Sequence, residues 1–444
     1  MKTFKKSLAI ILSLVTIFCI ASVGANAGGD MFGDFGVTWN GEDEEFYLID
    51  IENVTEAELV IPETINDWPV VGFKFNEHDV FETVETLVLP KTFSDSWTEF
   101  PLSNTFPSLK EIIVNENNPY FASVDGVLYD KDLTYLCAYP CNKEDVTFET
   151  PAETLAISHR AFEGCKNLKT LVLGEGIYDI FTDYYGSEPC SMFSSVENFA
   201  VNENNPYFAS VDGVLYTSDK KTLVKYPDAN TDTDFSVPED TETIGKYSFG
   251  YCQNLKNLYL SSTVKNIDEY AFAYSSLGYI DFSTCDLEYI GENILTDTPI
   301  YESDNNWDSG LFYYNNYLLE ASYDNGASIK IRPGTTYIAA SVFDKNDYIY
   351  LLSIPSSMET INSLAISVRV TNICYGDFEE NWDNIYIGRY NSYNLFNLNK
   401  NIDFEDTAVF HYECENADSR NSDVCSPSFL TRIISFFKIL FNLF

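Results

Sequence analysis

Apolar residues recur along this chain in a short pattern, best seen at Leu255, Leu258 and Leu260, which read Leu-x-x-Leu-x-Leu. Alternate positions of an extended segment point to one side, so the pattern predicts a short strand with one buried face. Thr263 to Ile267 then turns the chain away, and Ala271 with Phe272 supply a small and a large core residue on the opposite side. Ile244, Ile267 and Ile290 are spaced by 23, as are Phe249 and Phe272, and Ile157 and Ile180. A fixed period in this range marks a solenoid. One unit cannot bury its own apolar face, whereas stacked units can, with parallel strands about 4.8 Å apart. The strand cores predicted are 84–89, 109–114, 168–173, 196–201, 255–260, 277–282, 349–354 and 370–375. The fold expected is a repeat solenoid, mainly parallel β, with short helices or turns on the convex side.

A longer period overlies the short one. Asn115 to Tyr129 reads NENNPYFASVDGVLY, and the same fifteen residues return at Asn202 to Tyr216, 87 positions later. Ile157 to Leu173 matches Ile244 to Leu260 at the same spacing, with the apolar skeleton kept and the polar positions changed. Asp125-Gly126 and Asp212-Gly213 suit the tight turn of a hairpin. Inserted hairpins are therefore expected at 115–140 and 202–227, with a decayed third at 310–323 around Gly310-Leu311-Phe312-Tyr313.

The run Ile244 to Leu260 resembles the I-G-x-x-A/S-F-x-x-C-x-x-L-x-x-L-x-L skeleton of the BspA-like, or Treponema-type, leucine-rich-repeat family. The N-P-Y-F-x-S-V-D-G-V-L-Y segments are similar to an insertion of that family. The resemblance covers about 59–412, with the skeleton blurred at 182–192 and 295–316. It implies a leucine-rich-repeat solenoid over 59–374, an N-terminal cap over 28–58 and a C-terminal capping unit over 375–415. Glu45 to Asp50 and Val60-Ile61-Pro62 would close one end; Trp382, Ile385, Ile387 and Thr407 to Tyr412 would cover the last strand edge at the other. Members of the family are associated with surface adhesion and host-protein binding, and the resemblance implies that role.

Both termini carry separate signals. Lys2, Lys5 and Lys6 precede a mostly apolar run from Ser7 to Val23, and Ala25-Asn26-Ala27 offers small residues at a cleavage site. This is the pattern of a secretory signal peptide over 1–27, which predicts a secreted or cell-surface protein. At the other end, 416–427 reads as a polar linker. Ser428 to Phe444 then holds eleven large apolar residues in seventeen, with Thr431, Ser435, Lys438 and Asn442 on one helical stripe. Such a helix is about 25 Å long, short of a roughly 30 Å hydrocarbon core. The tail is expected to lie at a membrane or envelope surface or to fold back on the solenoid end.

Charge narrows the function. The chain has 26 Lys+Arg against 68 Asp+Glu, a net charge of −42, and cleavage of the leader would take it to −45. Such a surface opposes nucleic-acid binding, which needs basic residues against phosphate. Three histidines, His78, His159 and His411, supply little for metal sites or acid–base chemistry. No G-x-S-x-G, H-E-x-x-H, G-x-x-x-x-G-K-[ST] or G-x-G-x-x-G motif occurs, so no catalytic residue and no cofactor is nominated.

Asp228, Asn230, Asp232 and Asp234, with Glu239 at the twelfth position, put oxygen ligands at alternate places and form the calcium candidate. Thr233 stands where an EF-hand needs glycine, which favours a polar loop instead. Asp304, Asn306 and Asp308 make a poorer second run. Nine cysteines remain after the leader, an odd number, so they cannot all pair internally. Cys165 and Cys252 hold equivalent repeat positions and read as packing residues; Cys137–Cys141 and Cys414–Cys425 are the candidate local bridges.

The residues between the buried leucines should face outward. Asn257, Tyr259, Tyr279 and Asp281 are therefore expected on one exposed stripe, joined by Thr170 and Val172, as a partner-binding surface. The function expected is that of a non-enzymatic scaffold for an extracellular protein or glycan. The alternatives are a structural envelope component and a glycan-degrading enzyme.

Overall fold

The computed structural model describes residues 30–32, 35–40, 45–52, 54–75, 79–94, 102–182, 193–322, 328–343, 348–366, 369–377, 379–382, 384–388 and 409–411. The expected leader at 1–27, linker at 416–427 and tail helix at 428–444, and Cys414 with Cys425, lie outside them. The eight predicted strand cores correspond to strands Thr86–Leu89, Glu111–Val114, Thr170–Leu173, Asn198–Val201, Asn257–Tyr259, Tyr279–Asp281, Tyr348–Ile354 and Arg369–Tyr375. Val84, Leu109, Leu168, Val196, Leu255 and Leu277, which open six of the cores, are buried in the approach to each strand rather than in it. The strands stack as the parallel β-solenoid that the repeats predict.

The chain divides into two compact units, 1–143 and 144–444. In the first, strands Asp30–Phe32, Phe35–Asn40 and Glu45–Ile51 form an antiparallel meander, which continues in parallel onto Trp68–Phe73. A separate parallel sheet joins Glu58–Val60, Thr86–Leu89 and Glu111–Val114. Its core is phenylalanine-rich: Phe75 lies 4.9 Å from Phe73 and 5.2 Å from Phe81, and Phe81 stacks on Phe106 at 5.4 Å.

The second unit carries parallel sheets on two faces. One face holds Thr147–Glu149, Thr170–Leu173 and Asn198–Val201, then, as a separate sheet, Asp234–Ser236, Asn257–Tyr259 and Tyr279–Asp281. A four-stranded sheet follows, made of Ser328–Lys330, Tyr348–Ile354, Arg369–Tyr375 and Val409–His411. The other face was expected as turns but contains two-residue strands, Thr243–Ile244, Asn266–Ile267 and Tyr289–Ile290, paired in parallel. The 23-residue spacing of Ile244, Ile267 and Ile290 brings them into register, and all three are fully buried. Phe249 and Phe272 are also fully buried in successive coils, with ring centroids 5.9 Å apart.

The turns between the faces repeat a left-handed backbone at Tyr247, Tyr270 and Asn293, and again at Tyr251, Tyr274 and Asp297, with φ between 52° and 64°. Side chains other than glycine pay for this conformation. Here the cost is offset by stacking along the coils: Tyr247 on Tyr270 at 5.0 Å and Tyr251 on Tyr274 at 5.2 Å, each pair within 10° of parallel.

All three expected hairpins form. Phe121–Val124 pairs with Val127–Asp130, Phe208–Val211 with Val214–Thr217, and Leu311–Tyr314 with Tyr317–Ala321. In the first two, Asp125-Gly126 and Asp212-Gly213 both take positive φ, as a tight type I′ turn requires. The Gly213 turn lies so close to the neighbouring strand that a Cβ there would meet Asn198 Oδ1 at 2.6 Å.

These turns end the strand ladders. The Gly126 carbonyl accepts from Ile112 N at 2.9 Å, and the Gly213 carbonyl accepts from Phe199 N at 2.8 Å, each on the third strand of its sheet. In the decayed third copy the Tyr314 hydroxyl takes this part, accepting from Ile280 N at 3.0 Å and donating to Ile280 O at 3.1 Å. Each hairpin thus satisfies the open edge of a three-stranded sheet, as an exposed strand edge demands. Among the described residues no helix is long and apolar enough to cross a membrane.

Candidate functional site

The sheet Asp234–Ser236, Asn257–Tyr259 and Tyr279–Asp281 builds the clearest exposed surface among the expected positions. Leu258 and Ile280 are fully buried at the strand centres, so their neighbours must face out. Parallel register sets Asp234, Asn257 and Tyr279 in one row and Ser236, Tyr259 and Asp281 in the next. Tyr259 is 39% and Tyr279 45% exposed, and their rings meet edge to face at 6.1 Å. Asn257 Nδ2 donates to Asp234 Oδ1 at 2.9 Å. The Thr233 hydroxyl and this amide hold the Asp234 carboxyl below the usual carboxylate range. The Ser283 hydroxyl and backbone N–H do the same for Asp281, the N–H donating at 2.8 Å. The surface is therefore aromatic with fixed negative charge beside the rings.

Thr170 and Val172 do not join that stripe. They lie half-exposed on Thr170–Leu173, in the preceding sheet. That sheet ends at Asn198–Val201, whose Phe199 N is taken by the Gly213 turn. The hairpin interrupts the ladder between the two sets of residues.

The calcium candidate is also dispersed. Asp228 is buried and pairs with Lys225 at 2.6 Å, both side chains about 2% exposed, while its Oδ2 accepts from Phe193 N. Lys225 Nζ donates in addition to the carbonyls of Gly250, at 2.8 Å, and Tyr247, at 3.3 Å. Asn230 Oδ1 accepts from the Tyr226 hydroxyl and from Asp232 N. Asp232 is exposed, Asp234 bonds Thr233 and Asn257, and Glu239 stands exposed beyond the strand. The alternate spacing expected of a ligand loop is instead divided between a core ion pair, a turn and a strand. Among the described residues no group of three His, Cys, Asp or Glu side chains is arranged to hold a metal ion.

Cys137 and Cys141 are thiols and are not bridged to each other, contrary to one of the expected pairings: the Cys141 thiol donates instead to the Phe106 carbonyl. Cys374, for which no bridge was expected, is disulfide-bonded. Cys165 and Cys252 are buried. Desolvation pushes the Cys252 thiol up to about 12, with Lys225 opposing and Asp228 reinforcing the shift, so it stays a neutral packing group.

One feature escaped the sequence pattern. Tyr178 and Tyr207 are 53% and 51% exposed and meet at 5.8 Å across a groove. They come from different elements, and only the position of Tyr207 in the N-P-Y-F motif hinted at a role.

A fold of stacked coils with short parallel strands, tyrosine-decorated on an outer face, defines a leucine-rich-repeat scaffold. The chain belongs to the BspA-type leucine-rich-repeat region family, whose model matches six copies over residues 134–204, 229–322 and 315–416. It is similar at 16% identity to a leucine-rich cell surface protein from Faecalibacterium prausnitzii, covering 83% of this chain and 100% of that one, with a TM-score of 0.36. It is similar, also at 16% identity, to the pneumococcal vaccine antigen PcpA, covering 83% and 98%, with a TM-score of 0.38. A leucine-rich repeat protein from Eubacterium ventriosum matches at 18% identity over 58% and 69%, with a TM-score of 0.34. No curated protein is similar enough to match.

Proposed function

We propose that the chain is a cell-surface, non-enzymatic scaffold that binds an extracellular protein or glycan through the sheet carrying Asn257, Tyr259, Tyr279 and Asp281. The observation that carries this reading is the exposed tyrosine pair set on strands whose central residues are wholly buried. Tyrosine offers a large contact area with few rotors to immobilise, and a sheet fixed by its core presents the rings already ordered. Family membership supports the scaffold role. The test is capture of the ectodomain on panels of matrix proteins and glycans, followed by a Tyr259→Ala/Tyr279→Ala variant. Binding to the captured ligand is expected to weaken about tenfold or more while the melting temperature stays within a degree or two. Unchanged affinity moves the contact off this sheet; conversion of a glycan, lost on carboxylate substitution, would replace the scaffold reading with an enzymatic one.

A further inference from the structure

The groove between Tyr178 and Tyr207 has a cavity volume of about 640 Å³ and is lined also by Glu153, Leu155, Glu175 and Pro206. Its geometry is held by one buried amide. Asn205 Nδ2 donates to Gly174 O at 2.7 Å and Ile177 O at 2.9 Å, while its Oδ1 accepts from Tyr207 N and Phe208 N at 2.8 and 2.9 Å. Four bonds on a buried side chain tie the turn that ends at Tyr178 to the segment that carries Tyr207. Gly176 keeps the floor low, since a Cβ there would stand 2.5 Å from the Ala152 carbonyl oxygen. The backbone carrying both tyrosines is therefore fixed, and the two rings meet edge to face at 5.8 Å.

The other copy of the motif is an internal comparison. Asn118 makes the same four bonds, to Pro90 O, Phe93 O, Tyr120 N and Phe121 N, and Tyr120 is 55% exposed. There the residue after Pro90 is Lys91, paired with Glu63 at 2.7 Å, and the residue after Phe93 is Ser94. In the second copy the residue after Gly174 is Glu175, and the residue after Ile177 is Tyr178. One site holds its own cation and a single tyrosine. The other replaces the lysine with a carboxylate and adds a second ring.

We propose that the Tyr178–Tyr207 groove captures a lysine or arginine side chain from a basic segment of a partner protein. The inference rests on the scaffold reading and names the chemistry of one partner, on a different surface. Aromatic faces attract a cation, and nearby carboxylates add to that attraction. The chain itself uses this contact elsewhere, with the Arg332 guanidinium 4.1 Å above the Tyr313 ring. A net charge of −42 raises the local concentration of cationic partners. A neutral sugar would stack on the rings and donate hydroxyls to Glu153 and Glu175, but it lacks the charge by which a cation is drawn to carboxylates and ring faces together.

The test uses the full chain and two acetylated octapeptides, one alternating lysine with alanine and one alternating glutamine with alanine, in calorimetry at physiological salt. The lysine peptide should bind saturably and the glutamine peptide should not. Tyr178→Ala/Tyr207→Ala and Glu175→Lys should each weaken binding about tenfold. Tyr178→Phe/Tyr207→Phe should bind as the wild type does, since the ring faces remain, and Tyr120→Ala should have no effect. Lysine-peptide binding that Tyr178→Ala/Tyr207→Ala leaves unchanged would be diffuse attraction to an acidic surface and would overturn the proposal. A neutral oligosaccharide that binds in a Tyr178-dependent way, with no lysine-peptide binding, would overturn it too, yet leave the scaffold reading standing.

Discussion

Asp228→Ala is expected to cost about 3–5 kcal/mol of folding stability, because it leaves the Lys225 ammonium buried with no counter-charge. Taking an ion out of water is expensive, and the fold tolerates it here only because the carboxylate and two carbonyls surround Nζ. Urea titration should show the midpoint falling with little change in slope. The double variant Lys225→Met/Asp228→Leu should recover most of the loss, since an apolar pair of similar volume needs no compensation. Calcium should not alter the cost, whereas a calcium ligand would make it calcium-dependent. A loss below about 1 kcal/mol would place the pair in contact with water. The exposed ladder Lys221–Glu242 and Lys265–Glu288 is the contrast: its pairs join neighbouring coils, yet its groups are solvated and their replacement should change little.

Phe249→Ala should cost a similar amount, about 3–5 kcal/mol, for a different reason. The ring is fully buried, stacked on Tyr226 at 5.4 Å and set against Phe235 at 6.0 Å and Phe272 at 5.9 Å. Truncation loses the transfer energy of the ring and leaves a cavity that neighbours held by their own coils cannot fill. Coils contact mainly their neighbours, so hydrogen exchange should rise first around 226–290 and last in distant coils. A melt displaced by less than about 1 kcal/mol would show that adjacent coils collapse into the space.

The first face of the solenoid was legible because Leu-x-x-Leu-x-Leu carries both an alternation and a repeat, and the two agree on which residues are buried. The second face was not. A two-residue strand such as Asn266–Ile267 is too short to show alternation, and its only trace is the spacing of single isoleucines. The burial of Asp228 was not legible, because alternate acidic residues read as a polar loop first and as a calcium loop only second. The contrary signal lay three residues upstream: Thr222–Lys225 alternates half-buried and buried positions, which puts Lys225 beside Leu223 on the inner side. A lysine at an inward position calls for a nearby carboxylate. The exposed stripe was legible within one sheet but overextended to Thr170 and Val172, since nothing in strand periodicity reveals that a hairpin turn has taken the edge hydrogen bond. Tyr178 and Tyr207 lie far apart in the sequence, and the Asn205 amide ties together the segments that carry them.

The hairpin turns that close the three-stranded sheets have a consequence for how such a chain can change length. Phe199 N and Ile112 N meet the same glycine carbonyl in two copies of an identical fifteen-residue segment. An unequal crossover between the copies would remove or duplicate 87 residues while leaving an unaltered hairpin at the join. Each gain would lengthen the exposed face by three strands, roughly 14 Å at the usual strand spacing. A protein built on this plan can gain or lose coils in whole steps, with every intermediate length already provided with a sealed edge.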